Sequence, residues 1–308
     1  MKYLITGGCG FIGSHIAEAL VSEGHEVICY DNLSSGYEKN IAHIRDKVKF
    51  VKADVRDLDT LYRETKGVDF IFHEAALVSV FESVDRPFVN NEVNITGMLN
   101  VLAASRANGV KRVVVASSAA VYGNNPELPK VETMRPEPES PYAIGKITDE
   151  YYMQVFAKLY GVQTVCLRYF NVYGPRQDPT SMYSGVISKF SDVLKSGAVP
   201  TIFGDGQQTR DFVFVKDIVK ANLLAMRTDK AGMGEVFNIA TGATVSLVEL
   251  LETMCTILGR KVAPVFKEAR AGDIRHSSAS IDKAVNVLGY KPDFTIEKGL
   301  RALFDYKG

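Results

Sequence analysis

The chain has 308 residues, of which 46% are hydrophobic and 23% charged, and 36 basic residues balance 36 acidic ones. This composition is typical of a globular protein with a substantial core, and without a basic block it argues against nucleic acid as the main partner. No apolar run reaches membrane-spanning length, and the opening residues MKYLITGG enter a strand-like segment with no visible signal peptide. We therefore expect a cytoplasmic protein with no membrane partner.

Short apolar runs alternate with amphipathic stretches through the first half of the chain. This periodicity predicts strands at 2–6, 26–31, 48–54, 68–76, 111–119 and 162–170. It predicts helices at 11–24, 57–66, 86–107 and 141–160. Alternation of this kind indicates a parallel sheet with right-handed crossovers and helices on both faces.

The pattern changes near residue 174, where the breaker-rich YGPRQDP begins. Beyond it the sequence predicts a strand–turn–strand at 199–215, a strand at 235–239 and helices at 181–196, 216–227, 246–258, 281–288 and 296–306. The expected fold class is α/β, a Rossmann-type doubly wound parallel sheet with a smaller α/β C-terminal domain. We assign 1–170 plus 211–240 to the nucleotide-binding domain, and 171–210 plus 241–308 to the substrate-binding domain.

The cysteines and histidines give no metal-ligand spacing. Cys9, Cys29, Cys166 and Cys255 lie far apart in apolar or small-residue contexts, which predicts buried free thiols in a reducing compartment. His73 begins a HEAAL segment that lacks the second histidine of a zinc-protease helix, so we expect it to end a strand. No metal is expected.

The segment TGGCGFIG at 6–13 follows the first strand and opens the first helix. Its Gly7, Gly10 and Gly13 fit G-x-x-G-x-x-G, a pattern that lets a pyrophosphate approach the backbone at a helix N-terminus. Asp31 ends the second strand about twenty residues further on, where a carboxylate would accept bonds from both ribose hydroxyls and repel a 2′-phosphate. No arginine follows at 32–36, so the sequence favours NAD over NADP.

Two further polar positions are less decisive. Asp54 ends the third strand and could accept a bond from the adenine amino group, or it could cap the helix that starts near Asp57.

In SPYAIGK, Ser140 and Pro141 look like a helix start that places Tyr142 and Lys146 on one face. Such a pair alone is usually a solvated surface, but a dinucleotide site and Ser118 at the end of the fifth strand allow all three side chains to converge on a ligand.

At these residues the chain resembles the extended short-chain dehydrogenases/reductases, and within them the UDP-hexose 4-epimerases. The resemblance covers essentially the whole length. It rests on TGGCGFIG, Asp31, Asp54, FHEAA, Asn94 in VNITG, Ser118, Tyr142 with Lys146, RYFNVYGPRQ, GDGQQTRDFVFVKD and RAGD.

The resemblance implies a 4-epimerase with a tightly bound NAD. Tyr142 would take the proton from the sugar 4-hydroxyl, Ser118 would hold the same oxygen, and Lys146 would orient the nicotinamide ribose. An ordinary tyrosine has a pKa of about 10 and is a poor base at neutral pH, but a nearby ammonium and the positive nicotinamide favour phenolate. The remaining expected NAD contacts are Phe11, Ile12, Asn32, Val55, Ala75, Ala76 and Asn94. Val78 departs from relatives that carry lysine there, which puts only a secondary cofactor contact in doubt.

The resemblance also implies the substrate and the reaction. Asn171 would contact the diphosphate region, Arg210 and Arg270 would pair with the UDP diphosphate, and Asp273 would bind the uridine ribose. Arg210 could instead form a surface ion pair with Asp211. Ala119 and Ala120 stand where 4,6-dehydratases need an acid and a base, which disfavours dehydration.

Ser277 stands where some relatives carry a bulky tyrosine, so UDP-GlcNAc and UDP-GalNAc are expected substrates, besides UDP-glucose and UDP-galactose. If the loop takes another register, Ser277 is a simple turn residue. A UDP-uronic acid epimerase or decarboxylase stays open, although such enzymes usually carry threonine at the position of Asn171.

Two alternatives concern assembly and loss of activity. A non-catalytic NAD-binding relative could keep the fold and lose the chemistry, but the intact Ser118, Tyr142 and Lys146 argue against this. The resemblance implies a homodimer through a four-helix bundle built from the helices at 86–107 and 141–160. In the second of these helices an apolar stripe, of a kind that is more often core, comprises Tyr151, Tyr152, Val155, Phe156 and Leu159.

Overall fold

The computed structural model describes residues 1–178, 185–269 and 275–306. Its strands are β1 (Lys2–Thr6), β2 (Glu26–Asp31), β3 (Val48–Lys52), β4 (Phe70–His73), β5 (Arg112–Ser118), β6 (Gln163–Tyr169), β7 (Asn171–Tyr173), β8 (Thr201–Phe203), β9 (Thr209–Arg210), β10 (Phe212–Phe214), β11 (Met233–Ile239), β12 (Val245–Ser246) and β13 (Val265–Lys267).

The α-helices are α1 (Phe11–Ser22), α2 (Leu58–Glu64), α3 (Val80–Asp85), α4 (Pro87–Asn90), α5 (Gly97–Asn108), α6 (Pro141–Tyr160), α7 (Val186–Lys195), α8 (Val215–Arg227), α9 (Leu247–Ile257) and α10 (Ile296–Asp305). Short 3₁₀ segments cover Glu38–Lys47 and Ala119–Tyr122, and π-helical segments cover Asn91–Thr96 and Ala284–Leu288.

A seven-stranded sheet forms the centre of the molecule, in the order β11-β6-β5-β4-β1-β2-β3. Every pairing in it is parallel. The chain runs outward from β1 through β2 to β3, and then returns to continue through β4, β5 and β6 on the other side. The strand order therefore reverses between β1 and β4, and ligands of such sheets bind in the crevice at that point. The predicted Rossmann-type fold is confirmed.

The sheet is covered on both faces because successive side chains of each strand point in opposite directions. In β1, Leu4 and Ile5 are both fully buried. Ile5 packs in a cluster with Ile16 of α1 and Ile218 of α8, whereas Leu4 packs in another with Met98 of α5. Each such side chain contributes roughly 1.5–3 kcal/mol relative to an exposed one.

The C-terminal part has its own core, which includes Ile187, Phe190, Phe214, Leu250 and Leu300. The strand–turn–strand pattern predicted at 199–215 forms strands but no hairpin. Instead β8 pairs with β13 in parallel, β10 pairs with β7 in parallel, and β9 pairs with β12 in antiparallel fashion. The predicted helix at 281–288 is largely a π-helical segment. The first residues of the predicted helix at 181–196 lie outside the described ranges, and α7 begins at Val186.

The helix predicted at 86–107 runs from Pro87 to Asn108 but carries the π-helical segment Asn91–Thr96 in its middle. The sequence analysis missed α3, which begins after its N-cap Ser79. Phe81 and Val84 of α3 are 70% and 59% exposed, so its apolar residues do not mark a face packed on the core. Within the described residues, no helix has both the length and the apolar character required to span a membrane.

Candidate active site

The glycine loop between β1 and α1 has the geometry of an anion site. Gly7 adopts φ +67°, its N–H donates to the Tyr30 carbonyl at 2.8 Å, and a Cβ there would lie 2.8 Å from the Ala75 nitrogen. A Cβ on Gly13 would collide with the carbonyl oxygen of Gly7. Gly10 is the N-cap of α1, and the first turn carries neither a capping side chain nor an acidic residue. The N–H groups and the positive dipole end are therefore left for a phosphate.

Asp31 lies at the end of β2 beside this loop and is 7% exposed. Its carboxylate accepts hydrogen bonds from the N–H groups of Cys9 at 2.9 Å and Leu33 at 2.8 Å. Burial raises the pKa of Asp31, while these two bonds oppose the shift. The bonds fix the carboxylate at the edge of the crevice, where the sequence predicts a ribose contact.

The side chain of Asp54 is engaged within the protein. Its two oxygens accept from Nε and Nη2 of Arg56, both at 2.9 Å, and from Nδ2 of Asn32 at 2.8 Å. These bonds, above all those from Arg56, lower the pKa of Asp54 to about 2. The helix cap that the sequence left open belongs to Asp57, which accepts from the Thr60 N–H at 3.0 Å.

Asn94 holds the loop that follows β4. Its Oδ1 accepts from the Leu77 N–H at 2.8 Å, and its Nδ2 donates to the Leu77 carbonyl at 3.1 Å and to Asn90 Oδ1 at 2.9 Å. Asn90 in turn donates to the Pro141 carbonyl at 3.0 Å. The two asparagines thus tie the loop carrying Ala75 and Ala76 to the start of α6.

The start of α6 positions Tyr142, as the SPYAIGK segment predicts. Ser140 is the N-cap and accepts from the Ala143 N–H at 3.2 Å, and Pro141 occupies the first helical position. The Tyr142 N–H, which has no acceptor within the helix, donates to Ser83 Oγ of α3 at 3.1 Å. Contacts from α3 and α4 therefore hold the turn that carries the phenol.

Lys146 lies one turn further along α6 and is only 3% exposed. Its Nζ donates to the Ala116 carbonyl of β5 at 2.7 Å and lies 3.8 Å from Asp149 Oδ2. On the same face Glu150 forms a buried ion pair with Arg168, with Nε–Oε1 at 2.8 Å and Nη2–Oε2 at 2.7 Å. Lys146 is thus a buried cation at the ends of the central strands.

Ser118 ends β5 and caps the 3₁₀ segment Ala119–Tyr122 by accepting from the Ala120 N–H at 3.1 Å. Ala120 lines the same crevice as Ser118 and Tyr142. The methyl groups of Ala119 and Ala120 cannot transfer protons, whereas the hydroxyl groups of Ser118 and Tyr142 can.

One cavity of 1120 Å³ joins these features, which is larger than a typical small-molecule site. It runs from the glycine loop past the end of β5 to the C-terminal part of the chain. The predicted residues that line it are Gly7, Gly10, Phe11, Ile12, Gly13, Asp31, Asn32, Val55, Ala75, Ala76, Ser118, Tyr142, Asn171 and Arg210. Val78 lines it too, whereas Asp54, Asn94, Lys146 and Ser277 lie behind or beside its wall.

The far end of the cavity carries Asn171 and Arg210. Asn171 Nδ2 donates to the Asp211 carbonyl at 3.1 Å, and Arg210 Nη1 donates to the Thr209 carbonyl at 2.9 Å. The Asp211 carboxylate accepts from the N–H groups of Thr241 at 2.8 Å and Gly242 at 2.9 Å, so it is directed into the protein interior.

Ser277 lies beside β9 through two backbone bonds, to Thr209 and Asp211, both at 3.1 Å. Thr209, His276 and Ser278 line a separate cavity of 590 Å³. Because side chains alternate along extended chains, Ser277 and Arg210 lie on the opposite face from these three. Arg270 and Asp273 fall outside the described ranges.

NAD, which the sequence predicts, fits these residues. A Cβ on any of the three glycines would press against neighbouring backbone, so only glycine allows this tight loop, and the uncapped N-terminus of α1 suits a pyrophosphate. A buried carboxylate, Asp31, stands at the end of the neighbouring strand. Cys9, Cys29, Cys166 and Cys255 are buried free thiols, as predicted. Among the described residues, no group of three His, Cys, Asp or Glu side chains is placed to hold a metal ion.

Two acidic residues escaped the sequence analysis or received no role in it: Glu74, which is half-buried and lines the cavity, and Asp149, which is buried on α6. Burial raises the pKa of Glu74 to about 8, partly opposed by the bond that Tyr169 Oη donates to it at 3.0 Å. Burial raises the pKa of Asp149 to about 7, with Lys146 opposing. His73 ends β4, as predicted, and burial lowers its pKa to about 3. Asp149 was detectable as an acid on the buried face of α6, three residues after Lys146.

A family model described as "NAD dependent epimerase/dehydratase family" matches residues 3–240. The chain belongs to this family. The glycine loop, Ser118, Tyr142 and Lys146 all lie within the matched range, so the cofactor crevice is that of an NAD-dependent epimerase/dehydratase.

Individual members of the family match the chain over nearly all of its length. The UDP-glucose 4-epimerase of Mycolicibacterium smegmatis is 40% identical over 311 residues, 99% of this chain and 98% of that protein. The structure of the UDP-N-acetylglucosamine 4-epimerase from Methanobrevibacter ruminantium in complex with UDP-N-acetylmuramic acid is 40% identical, with a TM-score of 0.94 over 98% of this chain and 96% of the other. The Thermus thermophilus UDP-glucose 4-epimerase in complex with NAD is 37% identical, with a TM-score of 0.89 over 99% and 98%.

Proposed function

We propose that this epimerase/dehydratase-family enzyme is an NAD-dependent UDP-hexose 4-epimerase, an isomerase that interconverts two sugars through a transient 4-keto form. The observation that supports this most directly is the single cavity shared by the glycine loop, Ser118, Tyr142 and Arg210. A cofactor and a nucleotide-sugar can meet in it, with the hydroxyl groups of Ser118 and Tyr142 between them. The family match and the epimerase relatives agree with this assignment.

Each residue has a distinct part in the proposed reaction. NAD, when bound, would supply reversible hydride transfer at the sugar C4. Tyr142 Oη removes the proton from the sugar 4-hydroxyl and returns it to the same oxygen when the 4-keto form is reduced. Ser118 Oγ holds the same sugar oxygen, and the Lys146 ammonium stabilises the phenolate of Tyr142. The protein ends each cycle unchanged, so a bound NAD is regenerated and need not leave.

The nucleotide would be held at the far end of the cavity. A guanidinium such as that of Arg210 can bond two oxygens of a diphosphate, and Asn171 offers an amide beside it. Arg270 would join Arg210 at the diphosphate, and Asp273 would accept a bond from the uridine ribose. These four contacts, like the NAD contacts of Asp31, Asp54 and Asn94, are part of the proposal. Since Asp54 and Asn94 lie behind the cavity wall, we assign them indirect support of the NAD site.

The substrate pair follows from Ser277. A small side chain on the face of Arg210 leaves room for an acetamido group, so we propose that UDP-GlcNAc and UDP-GalNAc are accepted along with UDP-glucose and UDP-galactose. Ser277→Tyr should lower kcat/KM for the acetylated pair at least tenfold more than for the other pair. The control is Ser278→Tyr, which lines the separate cavity and should affect both pairs alike. Equal loss on both pairs in Ser277→Tyr would reject this role.

The function itself is tested by incubating the purified protein with each UDP-sugar without added NAD and separating the products by chromatography. We expect interconversion of at least one hexose pair. UDP-glucuronic acid is the runner-up substrate, and the release of a UDP-pentose from it would identify a decarboxylase instead. A protein that binds NAD but converts none of these sugars would be a non-catalytic relative, and the proposal would fail.

Two organisational features belong to the same proposal. We assign residues 1–170 plus 211–240 to an NAD-binding domain, and 171–210 plus 241–308 to a sugar-nucleotide domain. The separate C-terminal core supports this, although Phe212 and Phe214 of the first unit also pack into it. We also propose a homodimer through a four-helix bundle formed by α6 and the helix from Pro87 to Asn108 of each copy.

A further inference from the structure

Asp149 is an unusual carboxylate for its location. It lies on α6, three residues after Lys146, and is 1% exposed. Neither of its oxygens has a hydrogen-bond partner, and the nearest cation, Lys146 Nζ, is 3.8 Å from Oδ2. That separation is an ion-pair distance but too long for a hydrogen bond. A buried carboxylate without partners is strongly disfavoured as an anion, so a specific role has to be sought for it.

The surroundings of Asp149 offer no other compensation. On its own helix, Glu150 is already engaged with Arg168 of β6. The groups that face Asp149 or its immediate neighbours are Lys146 and Glu150 on α6, Cys166 and Arg168 on β6, and Glu235 on β11. Of the groups facing Asp149 itself, only Lys146 is a cation without a closer carboxylate partner. The charge state of Asp149 therefore acts mainly on Lys146.

Lys146 in turn has a limited set of partners. One of its three ammonium protons goes to the Ala116 carbonyl, which fixes the head group against β5. At the end of β4, His73 and Glu74 also feel its charge. Burial keeps His73 neutral at physiological pH and favours the neutral form of Glu74 below about pH 8. Asp149 is thus the carboxylate nearest to the ammonium on which the proposed mechanism depends.

We propose that Asp149 is a positioning residue for Lys146. When ionised, the Asp149 carboxylate draws the Lys146 ammonium away from Tyr142 and offsets the ammonium's charge. When protonated, Asp149 releases the ammonium. The proposal rests on the proposed function, in which Lys146 stabilises the phenolate of Tyr142. A single proton passes between solvent and Asp149, and no other bond changes. Protonation of Asp149 near neutral pH then strengthens the field that Lys146 exerts on the phenol.

The sign of the effect follows from Coulomb's law. Asp149→Asn is nearly isosteric and permanently neutral, so it should stabilise the Tyr142 phenolate above pH 7, where the native side chain is largely ionised. The phenol of the variant should therefore titrate at a lower pH than that of the native protein, by about one pH unit, since the ammonium then acts on it without an opposing carboxylate.

The test uses the absorbance of phenolate at 295 nm in the NAD-loaded protein. The chain has no tryptophan, so tyrosine dominates this signal. The titration curve of the native protein minus that of Tyr142→Phe gives the contribution of Tyr142. In the same way, the curve of Asp149→Asn minus that of the double variant Asp149→Asn/Tyr142→Phe gives the contribution of Tyr142 when residue 149 is neutral. We expect the difference signal of the variant to have a midpoint about one pH unit lower. Equal midpoints would overturn the proposal.

Two controls separate this role from a structural one. Asp149→Glu restores a carboxylate and should return the midpoint toward the native value. Asp217→Asn removes another buried carboxylate, on α8, which accepts a hydrogen bond from the Asp293 N–H at 2.8 Å. This change should leave the midpoint unchanged. If Asp149→Asn does not fold, Asp149→Ala provides the same neutral comparison. Because the readout is a titration, a protein without epimerase activity would refute the proposed function while still deciding the role of Asp149.

Discussion

The side-chain amide of Asn94 binds both backbone polar groups of Leu77, accepting from its N–H at 2.8 Å and donating to its carbonyl at 3.1 Å. These bonds hold the loop after β4 in place. Asn94 itself lies in a π-helical turn, a feature that often marks functional positions. The resemblance to epimerases implies a cofactor contact at Asn94, and we propose that it acts indirectly, through this loop.

Asn94→Asp should weaken NAD binding about tenfold, since it keeps the acceptor for the Leu77 N–H but loses the donor and sets two oxygens against each other. Equilibrium dialysis of NAD measures this. The matched control is Asn108→Asp, which loses an amide donor to the Tyr62 carbonyl at 2.9 Å remote from the cavity. It should lower the melting temperature while leaving NAD affinity unchanged. Native NAD affinity in Asn94→Asp would show that the loop needs no such support.

Tyr142→Phe should retain bound NAD and lose turnover by roughly 10²–10⁴-fold, the usual contribution of a general acid–base group. The ring keeps its place because Ser83 binds the backbone N–H and not the phenol. Epimerisation assays and the absorbance ratio of bound NAD to protein test the two halves of this expectation. Tyr151→Phe, which removes a hydroxyl from an exposed position on the same helix, should remain active. An active Tyr142→Phe enzyme would require a different base.

Glu74 makes the stability of the protein depend on pH. Its pKa in the folded state is about 8, against about 4.3 when unfolded, so the folded state holds a proton that the unfolded chain releases between these values. The stabilisation is complete below about pH 4 and is lost as pH rises to about 8. His73 has the opposite effect, because its pKa is about 3 in the folded state and about 6.5 in the unfolded chain. Its contribution to stability is therefore lost only as pH falls below about 6.5.

The melting temperature should therefore fall between pH 7 and 8.5, a window in which His73 is neutral in the folded state and largely neutral in the unfolded one. Glu74→Gln keeps an acceptor for Tyr169 Oη and cannot ionise. It should remove part of this decline, on the order of 1–2 kcal/mol of unfolding free energy. Scanning calorimetry across the window compares the two proteins. An identical slope in both would mean that Glu74 does not titrate there.

Exposed apolar side chains lie on three neighbouring helices: Phe81 and Val84 on α3, Phe88 on α4, and Tyr151, Val155 and Leu159 on α6. Phe88 is 84% exposed and Leu159 64% exposed, whereas Tyr152 and Phe156 of the same stripe pack on the core. Exposed apolar side chains on neighbouring helices are typical of a dimer interface.

Phe88→Glu should convert a dimer into a monomer at micromolar concentration, measured by light scattering after size-exclusion chromatography. Burying a carboxylate in a helix bundle costs several kcal/mol, enough to dissociate it. Val265→Glu, at an apolar position exposed on β13 in the C-terminal part of the chain, is the control and should remain dimeric. A native protein that is monomeric under these conditions would rule out the bundle.

The sequence by itself determined the alternating strands and helices, the glycine loop with Asp31, and the start of α6 that presents Tyr142. These features depend on local chemistry: side-chain periodicity, helix capping and glycine backbone freedom act over a few residues. The tertiary structure decided which groups meet across the sheet. It directed Asn94 to Leu77, paired β8 with β13, and left the Asp149 carboxylate without a hydrogen-bond partner, because these contacts depend on how distant segments pack and no local pattern encodes them.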